Sequence, residues 1–117
     1  MGYNFRIGVI GSATSDIRST LQADIEEIRR RNSDVDLTLV YSFRSPASFR
    51  KAVIDMATTL QLSIEPLDEI DSTGVRGDKL GTMCDAIILI GTDNRISVGV
   101  AAQFEERSKG PVYRHDH

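Results

Sequence analysis

Two loops of the sequence each begin at a glycine that ends an apolar run, and their residue types suit the binding of a phosphate or a carboxylate. The first loop begins at Gly11 and continues Ser-Ala-Thr-Ser. The second begins at Gly91 and continues Thr-Asp-Asn-Arg. Where a buried strand ends at a glycine and a helix follows, free backbone N–H groups and the positive end of the helix dipole point to one place. The two loops therefore predict an anion site if the fold brings them together.

Polar side chains in and around these loops are the candidate ligand contacts. Serine and threonine hydroxyls donate to phosphate oxygens, although both residue types are also ordinary helix caps. An aspartate can bind ribose hydroxyls, and Asp-Asn-Arg is equally ordinary turn chemistry. Arginine suits phosphate because its guanidinium is a planar fork of donors, although each arginine alone is better explained as a solvated loop residue. The candidate ligand-binding residues are Gly11, Ser12, Thr14, Arg44, Arg76, Gly91, Thr92, Asp93 and Arg95.

Two common phosphate-binding motifs are absent. The dinucleotide fingerprint G-x-G-x-x-G does not occur, since Gly8 and Gly11 are three positions apart and Gly8 lies within the apolar run. The lysine of the P-loop is missing as well. The sequence therefore disfavours classical NAD dehydrogenases and P-loop NTPases, and the only cofactor-like group it predicts is a nucleotide ligand. A phosphoacceptor receiver domain is excluded because Gly11 and Ser12 stand where that domain needs acids.

No arrangement of a nucleophile and a base can be assembled from the sequence. Asp93 and Glu106 are weak candidates for a catalytic carboxylate, because neither is placed by its spacing as a nucleophile or a general base. The acidic run 65–71 is better explained as a solvated loop than as a Mg²⁺ site, which needs ligands that converge in space. His115 and His117 lie in the last residues of the chain, where order is often lost. No metal site is predicted.

Composition sets the broad class of the protein. A length of 117 residues suffices for one domain, 1–117, with a core of its own. A formal net charge of −3 argues against nucleic acid as a partner. The apolar runs are too short for a bilayer and the first residues lack the apolar stretch of a secretory signal, so we expect a cytoplasmic protein without a membrane segment. Cys84 is the only cysteine, which leaves no intrachain disulfide, and we expect it to be buried.

Strand-like and helix-like segments alternate along the chain and must position these candidates. Short apolar runs rich in β-branched residues predict strands over 5–10, 35–41, 62–65 and 86–90 and from 112 onward. N-cap signals and apolar residues at helical spacing predict helices that begin near Ser15 and Ser45, followed by helices over 75–83 and 97–108. The arginine run 29–31 fits the C-terminal end of the first helix better than it fits RNA.

The strict β-α alternation predicts a three-layer Rossmann-like α/β fold with a five-stranded parallel sheet in the order 3-2-1-4-5. In this order strands one and four are neighbours, and the strand order reverses between them. Ligands of open α/β sheets bind outside the carboxyl ends of the strands at such a point. The loops that begin at Gly11 and Gly91 follow these two strands. The anion-binding candidates therefore fall where the topology places a ligand.

Five segments of the chain carry a family resemblance. Residues 7–12 are similar to a first strand with a V-x-G-S-R loop, 75–86 to an R-N-x-x-M…A-D-A segment, and 109–113 to G-K-P-V-Y. Residues 41–47 and 91–99 stand where a G-G-x-x-G-x-D loop and a D-G-x-S-x-G-T loop occur. Through these segments most of the chain resembles the SLOG superfamily of Rossmann-like nucleotide-binding domains, which includes the lonely-guy cytokinin-activating enzymes and the DprA and YpsA-type proteins. Nucleoside deoxyribosyltransferases are a more distant likeness.

The resemblance implies that the chain binds a nucleotide or a nucleotide sugar such as ADP-ribose in the same crevice, and that it assembles as a homo-oligomer. Catalytic members carry a G-T-x-x-E element whose glutamate works at the glycosidic bond. Aligned on Gly99, this chain has Val100 at the threonine and Gln103 at the glutamate. Glutamine cannot serve as nucleophile or general base, so the catalytic motif is degenerate. Paired glycines are also missing from 41–47.

Three functional hypotheses stay open. The leading one is a binding module for a nucleotide or nucleotide sugar. In it, hydroxyls and glycines contact the phosphate, an arginine pairs with the phosphate charge, and Asp93 binds the ribose. The first alternative is a hydrolase or transferase that cleaves the N-glycosidic bond of a nucleotide, which needs a carboxylate other than residue 103, such as Asp93 or Glu106. The second alternative is an assembly protein whose SLOG fold has lost its ligand, since a short edge strand and exposed helices can pack against further copies.

Overall fold

The computed structural model describes residues 3–11, 17–32, 35–42, 45–67, 84–91, 95–106 and 110–115. These residues form the strands β1 (Tyr3–Gly11), β2 (Val35–Ser42), β3 (Ser63–Leu67), β4 (Ala86–Ile90) and β5 (Val112–His115). They also form the helices α1 (Arg18–Arg31), α2 (Ala47–Thr59) and α3 (Arg95–Glu106). The helix predicted over 75–83 lies outside the described residues.

The five strands form one parallel sheet in the order β3-β2-β1-β4-β5. This confirms the predicted Rossmann-like α/β sheet and its strand order. Every residue of β4 is buried, because a central parallel strand is covered on both faces, and this explains its continuous apolar run. The short strands β3 and β5 are the outermost strands of the sheet, one on each side. Within the described part of the chain, no helix has both the length and the apolar character needed to cross a bilayer.

Helices cover both faces of the sheet and build two apolar clusters. α1 and α2 pack on one face, in a cluster that includes Phe49 and Ile88. α3 packs on the other face, where Phe104 belongs to a smaller cluster with Ile87. Successive side chains of a strand point to opposite faces, which is why the adjacent residues Ile87 and Ile88 belong to different clusters.

The starts of the helices differ from the predicted ones. α1 begins at Arg18, and Ile17 rather than Ser15 occupies the N-cap position, with no side-chain hydrogen bond to the helix. Ile17 is fully buried, so its packing against the core helps to fix this start. α2 begins at Ala47, and Pro46 is its N-cap residue instead of its first helical residue. α3 begins two residues earlier than predicted.

The arginine run at the end of α1 has local partners. Arg30 and Arg31 pair with Glu27 one turn earlier. Arg29 donates from Nη2 to the carbonyl oxygen of Leu60, just beyond α2, at 3.4 Å. These contacts belong to the ends of two helices and agree with the interpretation of this run as helix-end chemistry.

Gln61 adopts a backbone conformation that glycine would adopt at lower cost. Its φ is 57°, in the left-handed position that ends α2. The N–H of Leu62 donates to the carbonyl oxygen of Ala57 at 2.8 Å, and the N–H of Gln61 donates to that of Thr58 at 3.2 Å. This is the hydrogen-bond pattern of a Schellman turn, whose left-handed residue is usually glycine.

We expect Gln61→Gly to raise the free energy of unfolding by about 0.5–1 kcal/mol. A Cβ in the left-handed region costs about 1–2 kcal/mol, and glycine removes this cost. The greater freedom of a glycine in the unfolded chain offsets about 0.4–1 kcal/mol of the resulting gain in stability. Urea denaturation of the wild type, Gln61→Gly and Gln61→Ala measures the difference. Alanine is the matched control because it keeps the Cβ. Equal stabilities of the two variants would contradict the strain assigned to Gln61.

Candidate functional site

The carboxyl ends of β1, β4 and β5 lie side by side and form what we call the carboxyl rim: Gly11, Ile90, Gly91 and His115. Gly11 is the register partner of Ile90, and Ile90 is the register partner of His115. The strand order reverses between β1 and β4. The structure therefore brings together the ends of the two strands that the sequence places at the ligand position of the fold.

Glycines shape the rim where β1 meets β4. The φ of Gly11 is 144° and that of Gly91 is 93°, both in the region that favours glycine. A Cβ on Gly11 would lie 1.9 Å from the carbonyl oxygen of Ile90, and this oxygen is backbone that cannot turn aside. Gly11 is thus required for the close approach of the two strands. Both glycines are buried.

The backbone N–H of Gly91 already has a partner. It donates to the carbonyl oxygen of His115 at 2.8 Å and so joins the end of β4 to the end of β5. This N–H is therefore not available to a phosphate. Gly91 was expected to contact a phosphate; in the structure its role is to adopt the φ of 93° at the end of β4.

A histidine and an aspartate meet beside the rim. Nε2 of His115 lies 2.5 Å from Oδ2 of Asp24 in α1. The Asp24 side chain is 12% exposed and the His115 side chain 30% exposed. The pair joins the last residue of β5 to α1, on the face of the sheet that also carries the Tyr113 ring.

Sequence reasoning missed this pair, although one signal for it was present. Asp24 occurs among Leu21, Ile25 and Ile28, which form the buried stripe of α1. A carboxylate in an apolar stripe needs a hydrogen-bonding or charged partner, because its burial alone is costly. The stripe therefore signals a partner for Asp24. The partner itself is 91 positions away in the chain, and local patterns cannot identify it.

The three described helices begin at the carboxyl ends of the strands, and two of them follow the rim strands β1 and β4. α1 follows β1, and α3 follows β4 with Arg95 as its first residue. The positive ends of both helix dipoles therefore face these strand ends. Glu106 is the last residue of α3, eleven residues beyond Arg95, which is about 16 Å along the helix axis. The structure does not bring Glu106 to the rim.

The structure positions Gly11, Gly91 and the backbone of Arg95 at one edge of the sheet. The other sequence-derived candidates lie outside the described residues: Ser12, Thr14, Arg44, Arg76, Thr92 and Asp93.

Cys84 lies two residues before β4, at the edge of the sheet where the strands begin, opposite the carboxyl rim, and is buried as predicted. Burial raises the pKa of its thiol to about 12, and the neighbouring Asp85 carboxylate adds to the rise. The N–H of Asp85 donates to the carbonyl oxygen of Arg6 at 2.7 Å, and the N–H of Arg6 donates to Oδ2 of Asp85 at 3.0 Å. Cys84 is therefore a packed side chain next to a backbone tie, and at neutral pH it is not a nucleophile.

Two shallow cavities among the described residues also lie at this opposite edge. One, of about 450 Å³, has a polar lining that includes Asn4, Arg29 and Asp36. The other, of about 370 Å³, lies between the end of α1 and the start of β5, beside Phe5 and Tyr113. Neither cavity is lined by a residue of the carboxyl rim.

Comparison of the chain with protein-family models, with curated proteins and with solved structures found no significant match. The resemblance to the SLOG superfamily stays a prediction from the sequence. A functional conclusion must therefore come from the geometry of the rim.

Proposed function

We propose that the chain binds a nucleotide or a nucleotide sugar such as ADP-ribose at the carboxyl rim, between the ends of β1 and β4. One observation carries the proposal: Gly11 lies against Ile90 at the point where the strand order reverses. Open α/β sheets bind their ligands at such a point. The starts of α1 and α3, which follow these two strands, add positive potential that favours a phosphate.

In this proposal the loops that follow β1 and β4 supply the polar contacts. Hydroxyls of Ser12, Thr14 and Thr92 donate to phosphate oxygens. One of the three arginines, Arg44, Arg76 or Arg95, closes on the phosphate charge. Asp93 accepts from ribose hydroxyls. Gly11 lets the ends of β1 and β4 approach each other closely, so that both strand ends adjoin one ligand.

The position of α3 gives no support to a catalytic role of Gln103 or Glu106. Gln103, which stands where catalytic relatives of the SLOG type have glutamate, is exposed on α3. It lies eight residues beyond Arg95, about 12 Å along the axis from the helix start. Glu106 is farther still. Neither residue supplies a carboxylate to the rim. Homo-oligomerisation and a cytoplasmic location stay predictions from the sequence.

Nucleotide binding predicts stabilisation of the fold by phosphate-bearing ligands. We expect AMP, ADP or ADP-ribose to bind in calorimetry, and a ligand at 100 times its Kd to raise the free energy of unfolding by about 2.7 kcal/mol. Adenosine, which lacks the phosphate, is expected to bind more weakly than AMP.

A pair of serine variants tests whether the nucleotide binds at the carboxyl rim. Ser12→Ala removes a proposed phosphate donor, and Ser63→Ala removes an exposed hydroxyl beside the polar cavity at the opposite edge. Weaker binding of AMP by Ser12→Ala alone is the expected result. A folded wild-type protein that none of the three nucleotides stabilises would contradict the proposed function, and weaker binding by Ser63→Ala alone would move the site to the other edge.

A further inference from the structure

The His115 side chain belongs to the same row of the sheet as Gly11 and Ile90. The three residues are register partners across β1, β4 and β5. Adjacent strands lie about 4.8 Å apart, so the backbone of His115 is about 10 Å from that of Gly11. A ligand that crosses the ends of β1 and β4 therefore has His115 at its far end.

Asp24 selects one tautomer of the neutral imidazole. A carboxylate oxygen accepts, so Nε2 of His115 carries the hydrogen that it donates to Oδ2 of Asp24. In the neutral ring Nδ1 then bears the lone pair and is an acceptor. Among the described residues, Nδ1 has no hydrogen-bond partner. The side chain is 30% exposed, so a ligand can reach it.

The fold alone gives no reason for a polar pair in this place. Tyr113, two residues earlier in β5 and on the same face, packs against the apolar cluster of α1. Asp24 is flanked in its helix by buried apolar residues. Replacing a buried polar pair with packed apolar side chains is often neutral or stabilising, so stability does not require the pair.

We infer that His115 contacts the bound nucleotide through Nδ1, accepting a hydrogen bond from a ribose hydroxyl, with Asp24 as the positioning residue that holds the ring. This inference rests on the proposed function and adds a second end to the site. The glycine-shaped end at β1 and β4 receives the phosphate. The end at β5 receives the ribose.

Long-range ¹H–¹⁵N NMR of the imidazole rings tests the contact in the wild-type protein, with ADP-ribose and AMP as ligands. His117→Gln assigns the signals, since the chain has two histidines. We expect the free protein to show His115 protonated at Nε2. Saturating nucleotide is expected to shift Nδ1 of His115. Asp24→Ala removes the acceptor for Nε2–H and is expected to reduce the nucleotide-induced shift of Nδ1, whereas a merely structural role for Asp24 would lower stability and leave that shift unchanged.

Calorimetry on two variants measures how much His115 contributes to the affinity for the nucleotide. His115→Gln keeps a donor for Asp24 but replaces the ring acceptor Nδ1 with an amide oxygen in a different position, so nucleotide binding is expected to weaken about 3-fold to 10-fold. Arg114→Gln is the matched control, because Arg114 is the adjacent residue of β5 and its side chain pairs with Glu105 on α3. Its affinity is expected to equal that of the wild type.

The outcomes separate the two claims. Nucleotide binding with an unmoved Nδ1 signal and an unchanged affinity of His115→Gln would overturn the role of His115 and leave the proposed function intact. Absence of nucleotide binding by the wild type would overturn the proposed function, and the role of His115 would fall with it.

Discussion

Replacing Gly11 with alanine is expected to destabilise the fold by about 3 kcal/mol or more. The new methyl carbon would lie 1.9 Å from the carbonyl oxygen of Ile90. Because that oxygen belongs to the backbone of a buried central strand, β1 and β4 must separate to admit the methyl group. The φ of 144° adds backbone strain that glycine does not have.

Gly99 provides the matched control for this substitution. It lies in α3, and a Cβ there would have no neighbour within 4 Å. Gly99→Ala is therefore expected to stabilise the protein by about 0.5–1 kcal/mol, the usual gain in a helix. Urea denaturation of both variants, read by circular dichroism, measures the two effects. A Gly11→Ala variant within about 1 kcal/mol of the wild type would show that the strand ends are not as close as described.

The Cys84 thiol of the folded protein is expected to react with a disulfide reagent at least a thousandfold more slowly than that of the unfolded chain. Burial raises the thiol pKa from its ordinary value of 9.0 to about 12. Three pKa units lower the thiolate fraction at neutral pH about a thousandfold, and the thiolate is the reacting form. Labelling at pH 7.5 in buffer and in concentrated urea gives the ratio. Rapid stoichiometric labelling of the native protein would contradict the burial of Cys84.

The same pKa shift makes the free energy of unfolding depend on pH in the alkaline range. Above about pH 9 the unfolded chain releases the thiol proton, whereas the folded chain keeps it until about pH 12. The stabilisation is therefore complete below pH 9 and is lost as the pH rises from 9 to 12. The slope is about 1.4 kcal/mol per pH unit. Cys84→Ala removes this dependence, so the stability difference between wild type and variant should shrink or reverse above pH 9. A constant difference would contradict the shift.

Local patterns in the sequence were sufficient to predict the sheet. The uninterrupted apolar run of β4 predicted a strand buried on both faces, and the structure buries all five of its residues. The alternating residues of β2 place Leu37 and Leu39 in the cluster under α1 and α2. With short connections between elements, only a few strand orders are compatible with right-handed crossovers. The strand order could thus be inferred without any long-range information.

The details of the site depend on contacts between distant residues, which no local pattern records. His115 was set aside because of its place near the chain end, yet it pairs with Asp24. The hydrogen bond from Gly91 to the carbonyl oxygen of His115 likewise depends on the register of β4 and β5. The start of α1 also differs from the local signal at Ser15, because Ile17 is the N-cap residue and its burial depends on tertiary packing.

Backbone ¹H–¹⁵N NMR during titration with ADP-ribose tests the location of the proposed site most directly. We predict that the largest shifts fall on Gly11, Gly91 and His115 and on the first turns of α1 and α3, while Asn4, Asp36 and Ser63 at the opposite edge stay unchanged. Shifts confined to that opposite edge, or no shifts at all in a folded protein, would contradict a nucleotide site at the carboxyl rim.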